Sequence, residues 1–179
     1  PVVEATVDRH VSQLPLDVAS NDYNKVQKYL QKKINYAVSL PRFRNTSMAL
    51  VGGRLVSVQD RPAAYVNYRM QDRNYTMLAA PLEQFRKQIE NMRSRIIGRH
   101  RIFLTRHNGF NVVLWHDNRT LYSITSDDDE NQLIKVVAQA ESESEDEPSD
   151  AMSSSPDSEP DTPDSVLKAA FETSPVTDE

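Results

Sequence analysis

Histidine supplies the imidazole ligands of this chain, which has no cysteine, and the four copies are His10, His100, His107 and His116. Zinc and related metals take such ligands three or four at a time at close spacing. His107 and His116 flank one expected hairpin and could meet across it, but strand histidines standing singly are ordinarily surface residues, so no metal is expected. The acidic run Asp127 to Glu130 lacks the spaced ligands, central glycine and distant glutamate of a calcium loop, and reads as the cap of a helix. Gly52-Gly53 is followed by neither Lys-Ser/Thr nor a helix start, so it reads as a bulge or positive-φ position and not as a phosphate cradle. Serine, histidine and aspartate abound, yet no serine sits in a nucleophile-elbow context. The chemistry therefore points to a binding or sensor module: no enzyme, no catalytic residue and no cofactor.

Charge divides the chain. Residues 1–140 carry 20 Lys and Arg against 13 Asp and Glu, a net of +7, whereas residues 141–179 carry Lys168 against 13 acids, a net of −12. The first part is long enough for one core, an α+β domain over 1–140. The second, Ser-, Pro- and acid-rich, lacks the apolar side chains to offset the entropy of ordering and is expected to be a disordered tail. Within it a short amphipathic segment near 165–172 could fold on a partner. The tail could also cover a basic surface of the domain, where tethering keeps it at high local concentration.

The elements that must position any site follow from periodicity. Val3, Val7, His10, Val11 and Leu14 predict a helix from Val2 to Leu14, closed by Pro15. A second helix starts after Ser20 or Asn21, with Asp22 near its positive end and Val26, Tyr29, Leu30 and Ile34 as its buried stripe. Lys25, Lys28, Lys32 and Lys33 fall on its other faces and read as a solvated surface. Met48 to Val58 is a strand bent at Gly52-Gly53, and Ala64 to Met70 and Tyr75 to Ala80 continue an antiparallel meander. Leu82, Phe85, Ile89, Met92 and Ile96 follow 3,4 spacing, predicting a helix to Ile97 that Gly98 stops, with this stripe as a candidate homodimer contact. Arg101 to Arg106, Phe110 to Trp115 and Leu121 to Thr125 are strands, with Asn108-Gly109 the strongest hairpin signal. Ser126 and the aspartates open a last helix through Leu133, Ile134 and Val137. The expected architecture is an antiparallel sheet of five to six strands with helices packed on one face.

Three segments carry more than periodicity. His10-Val11 leading to Asp17-Val18-Ala19-Ser20-Asn21-Asp22 and Lys25-Val26 is the first. Leu50-Val51-Gly52-Gly53-Arg54-Leu55 with Arg61-Pro62 and Val66-Asn67-Tyr68-Arg69 is the second. Phe110 to Asp117, then Leu121-Tyr122-Ser123 and Ser126-Asp127, is the third and most specific. In order and spacing they resemble the extracytoplasmic part of bacterial transmembrane anti-sigma factors of the zinc-finger-bearing class, over most of residues 2–137. Lys28-Tyr29 stands where that family has Pro-Trp, and His116 where it has Arg. The resemblance implies a periplasmic sensor domain at the inner membrane that regulates a sigma factor, and hence transcription, without turnover. It also implies that the sigma factor is held by an N-terminal region absent from this sequence, that an upstream helix crosses the membrane just before Pro1, and that a periplasmic protein or protease is the direct partner. Candidate partner- or ligand-binding residues are then Asp17, Ser20, Asp22, Lys25, Tyr29, Arg54, Arg69, Trp115 and His116.

The competing reading is a basic RNA- or DNA-binding module restrained by its acidic tail, with Tyr65, Tyr68 and Tyr75 on adjacent strands as stacking surfaces. No recognised RNA-binding signature accompanies them, and nucleic acid is not the expected partner.

Overall fold

Alternating apolar residues between Ala49 and Ser126 build one continuous antiparallel sheet. The computed structural model describes residues 2–43, 47–98 and 100–145, and the expected acidic tail beyond Glu145, with its segment near 165–172, lies outside the described residues. In chain order the elements are α1 (Val2–Ser12), β1 (Val18–Ala19), α2 (Tyr23–Gln31), β2 (Ala49–Val58), β3 (Arg61–Met70), β4 (Arg73–Pro81), α3 (Leu82–Ile89), β5 (Arg93–Ile97), β6 (His100–His107), β7 (Phe110–His116), β8 (Thr120–Ser126) and α4 (Glu130–Glu145). The strand order is β1-β2-β3-β4-β8-β7-β6-β5. Two meanders, β2-β3-β4 and β5-β6-β7-β8, thus meet along the β4–β8 seam, where Thr76 faces Thr125 and Ala80 faces Leu121. At the turn signal Asn108-Gly109, φ is 50° and 87°, the two positive values of a type I′ hairpin.

The α+β class holds, with eight strands in place of five to six. One added strand is the two-residue β1, which pairs Val18 with Gly53 and Ala19 with Gly52. The other is β5, formed where the sequence pattern predicts helix. There α3 stops at Ile89, and Arg93 to Ile97 pairs with β6 in the register Arg93–Leu104 to Ile97–His100. The 3,4 spacing from Leu82 to Ile96 is ambiguous at its far end, and pairing with β6 overrides helix propensity there. Gly98, at φ 57°, turns the β5–β6 hairpin instead of ending a helix. The pairing stripe is dismantled as a result. Leu82, Phe85 and Ile89 are buried against the sheet, Met92 packs beside them, and Ile96 stands 72% exposed on the edge strand.

Helices cover both faces of the sheet, not one. Strand side chains alternate between two clusters, Ala64, Val66 and Tyr68 in one and Ala63 and Tyr65 in the other. α2, α4 and the extended segment Ile34 to Phe43 pack on the first face, and α1 and α3 on the second. Because both faces are apolar, covering only one would leave Phe103, Val112, Leu114 and Leu121 in water. α1 ends at Ser12, earlier than Leu14, with Gln13 at φ 41°. Its buried face is Val2, Thr6, Val7 and His10, and Val11 is 59% exposed. The N-cap of α2 is Asp22 itself, not Ser20 or Asn21. Asp129 receives the backbone N–H of Gln132 and opens α4 as expected, and that helix runs past Ala140, the expected domain end.

Candidate functional site

Five of the candidate residues, Asp17, Ser20, Asp22, Tyr29 and Arg54, gather at the β1–β2 edge and the start of α2. The Asp17 carboxylate accepts the backbone N–H of Leu55 at 3.0 Å and the Tyr29 hydroxyl at 3.1 Å. The Leu55 N–H holds this carboxyl below its ordinary value; burial opposes the shift, and the Tyr29 hydroxyl and the charges of Arg54 and Lys33 add to it. Arg54 reaches back to donate to the Pro15 carbonyl at 2.7 Å. Backbone bonds from Asp17 to Gly53 and from Ser20 to Val51, both 3.1 Å, complete the junction. The glycines make it sterically possible. A Cβ on Gly52, whose φ is 151°, would lie 2.2 Å from the Val18 carbonyl oxygen, and one on Gly53 would lie 3.0 Å from Val26 Cγ1. Next along the chain, Ser20 accepts the N–H of Asp22, and Asp22 accepts those of Asn24 and Lys25. Asp17, Ser20, Asp22, Tyr29 and Arg54 thus form a clasp that secures β1 and α2, while Lys25 is exposed beside it.

Trp115 and His116 stand apart from this clasp. Trp115 is 8% exposed and stacks on Tyr122 at 5.4 Å with an interplanar angle of 14°. The Tyr122 hydroxyl donates to Asp117 at 3.2 Å and accepts the N–H of Ser39 at 3.1 Å. Burial is the main cause that pushes this phenol up to about 12. The other oxygen of Asp117 accepts the N–H groups of Arg119 and Thr120, closing the β7–β8 turn. His116 lies beside that turn, its Nδ1 2.9 Å from the Asp117 carbonyl and its ring stacked on Phe103. His107 pairs with Phe110 at the opposite end of β7, while His116 pairs with Leu121. The two imidazoles therefore do not meet across the hairpin. Among the described residues no three His, Asp or Glu side chains are grouped to hold a metal ion.

The stacking platform of the nucleic-acid reading is overturned by burial. Tyr65, Tyr68 and Tyr75 are each 0% exposed, so no base can reach their rings. Tyr68 donates to the Pro41 carbonyl and Tyr75 to Asp128 at 2.5 Å. Both sheet faces are covered by helices or by the Ile34 to Phe43 segment, leaving no open aromatic surface for these three residues.

A polar cavity of about 120 Å³ lies between the end of α1 and the sheet. β3 contributes Tyr65, Asn67 and Arg69 from one face, β4 adds Asn74 and Thr76, β2 adds Val51, α1 adds His10, and Gln13 follows just past the end of α1. His10, 8% exposed, meets Thr76 Oγ1 through Nδ1 at 2.8 Å, and Thr76 donates onward to Asn67 Oδ1 at 3.3 Å. This order assigns the ring proton to Nδ1. Burial lowers the pKa of His10, with Asp127 opposing, so the ring is neutral near pH 7. Phe110 meets the imidazole edge-on at 4.9 Å. The Tyr65 hydroxyl is buried with no hydrogen-bond partner. Of this group only Arg69 is among the candidate contacts that the resemblance implies. The available signal was the odd-numbered face of β3, where Tyr65, Asn67 and Arg69 are polar beside the apolar Ala64 and Val66, together with Thr6 and His10 one helical turn apart on α1.

Comparison with protein-family models, with curated proteins and with solved structures finds no match to this chain.

Proposed function

We propose that this chain is a non-enzymatic periplasmic sensor domain of a membrane-anchored anti-sigma factor, transmitting an extracytoplasmic signal to a sigma factor held by a more N-terminal region. The observation that carries the reading is the clasp. The two first segments of the resemblance, Asp17 to Lys25 and Leu50 to Leu55, are far apart in sequence yet fit each other atom by atom, with Gly52 leaving room for the Val18 carbonyl. The third segment builds the Trp115–Tyr122–Asp117 corner. Residue types shared with the family thus coincide with positions where this fold demands them, which supports a common architecture. A clasp that closes an edge strand is also a suitable two-state element for a regulator, since releasing β1 would expose the β2 edge to a periplasmic partner or protease.

Membrane attachment belongs to the proposal and would come from an upstream helix. Within the described residues no helix is long and apolar enough to cross a membrane. The test uses the full gene in its bacterial host. Alkaline phosphatase fused after Ala140 should be active, as an exported enzyme is, and Gly52→Val in the intact protein should change expression from a sigma-dependent reporter. A fusion active only as cytosolic β-galactosidase, or a reporter indifferent to a clasp variant that is made and exported, would reject the reading.

A further inference from the structure

We propose that the cavity beneath the end of α1 is a binding site for a small monocarboxylate, a proposal that goes beyond the sensor reading and stands without it. The lining is rich in donors and holds no acid: the Arg69 guanidinium, the amides of Asn67, Asn74 and Gln13, and the Tyr65 residue with its hydroxyl. Asn67 already accepts the Thr76 hydroxyl through Oδ1, and Thr76 is itself fixed by His10, so the Asn67 NH2 group remains to donate. Among the described residues no ion pair or hydrogen bond engages the Arg69 guanidinium. The Tyr65 hydroxyl is a second donor without a partner, on a residue that is 0% exposed. A buried hydroxyl is ordinarily satisfied; this one, on a residue that lines the cavity but itself closed off from it, meets an acceptor only when the wall shifts to admit one.

Charge and size narrow the class. One guanidinium balances one negative charge, and its planar fork matches a carboxylate edge to edge. Phosphate or sulfate would bring a second charge that no other lining residue balances. The volume, about 120 Å³, is somewhat less than the roughly 150 Å³ that accommodates benzene. That space suits an anion of four to six heavy atoms, on the order of acetate to propanoate or a short hydroxy acid. Val51 supplies an apolar wall for its short tail.

The probe is sodium propanoate added to the ¹⁵N-labelled full chain, with sodium chloride and sodium sulfate at matched ionic strength as comparisons. Saturable shifts of the side-chain amides of Asn67, Asn74 and Gln13 with propanoate, and none with chloride or sulfate, are expected. Arg69→Gln, at an exposed position, should keep the folded spectrum and weaken binding about tenfold or more. Tyr65→Phe, which removes only the hydroxyl, should weaken it severalfold. Shifts that never saturate, the same shifts with chloride, or unchanged affinity in Arg69→Gln would overturn the site. None of those outcomes touches the export and reporter results, so the two readings fail separately.

Discussion

Replacing Gly52 by alanine places a methyl carbon 2.2 Å from the Val18 carbonyl oxygen, 2.9 Å from Leu16 Cδ1 and 3.0 Å from Ala19 Cα. Two of those three atoms are backbone, so relief comes only by lifting β1 from β2. The φ of 151° adds strain of about 1–3 kcal/mol for any residue with a Cβ. Separation of β1 would stretch the Asp17–Gly53 and Ser20–Val51 backbone bonds, each worth about 0.5–1.5 kcal/mol. The total is about 2–6 kcal/mol, a large part of the ~5–15 kcal/mol that holds a domain folded. Gly109→Ala is the matched comparison, because Gly109 also has positive φ, 87°, but its Cβ would meet nothing within 4 Å. Its cost should be the backbone term alone, about 1–2 kcal/mol. Urea unfolding followed by circular dichroism on both variants reads the difference as a shift in midpoint at constant m-value. If Gly52→Ala is no less stable than Gly109→Ala, the clasp is not a close-packed junction and the argument from it is wrong.

Other consequences can be measured on the same material. Burial sets the folded-state pKa of His10 below its ordinary 6.5, so as pH falls through 6.5 the unfolded chain takes up the proton first and stability declines until the folded-state pKa is passed; His10→Asn should flatten that decline in thermal melts between neutral and mildly acid pH. Tyr36 reaches the carbonyls of Pro62 and Ala79 at 3.0 and 2.9 Å, so Tyr36→Phe should cost about 1–3 kcal/mol in denaturant unfolding, and a neutral result would mean water replaces the hydroxyl. Ile89→Ala should cost about 2–5 kcal/mol because its side chain is buried, whereas Ile96→Ala should stay within ~0.5 kcal/mol; equal losses would restore a continuous helix from Leu82. For the nucleic-acid reading, an electrophoretic titration across salt concentrations should find no tight, steeply salt-dependent complex.

Local chemistry made much of the sheet legible. Asn108-Gly109 could hardly be anything but a primed turn, and Gly52-Gly53 read as a break in a strand because glycine there has a backbone reason that no side chain supplies. The errors lie where two periods coincide or where a partner lies far along the chain. Ile89 and Ile96 are seven apart, which fits two turns of helix; only the presence of β6 alongside decides that Arg93 to Ile97 is extended. Ile34, Tyr36, Val38 and Leu40 alternate as a strand does and are all buried, yet they lie across the sheet without joining it, an arrangement their own pattern cannot specify. The site shows the same division. Asp17, Tyr29 and Arg54 were recognisable as special residues, but resemblance alone could not distinguish a ligand contact from a structural bond, and their hydrogen bonds place them in the framework. The cavity beneath α1 was harder to anticipate because its walls come from four elements and become a set only when α1 turns Thr6 inward beside Val7 and His10 and leaves Val11 exposed. A helix whose buried face includes a threonine and a histidine is less apolar than its sequence permits, and the polar contacts on that face bring it to rest beside the proposed anion site: Thr6 to Ser123 at 2.7 Å and His10 to Thr76 at 2.8 Å. Such bonds contribute more to orientation than to net stability, which is what a helix forming one wall of a small polar cavity requires.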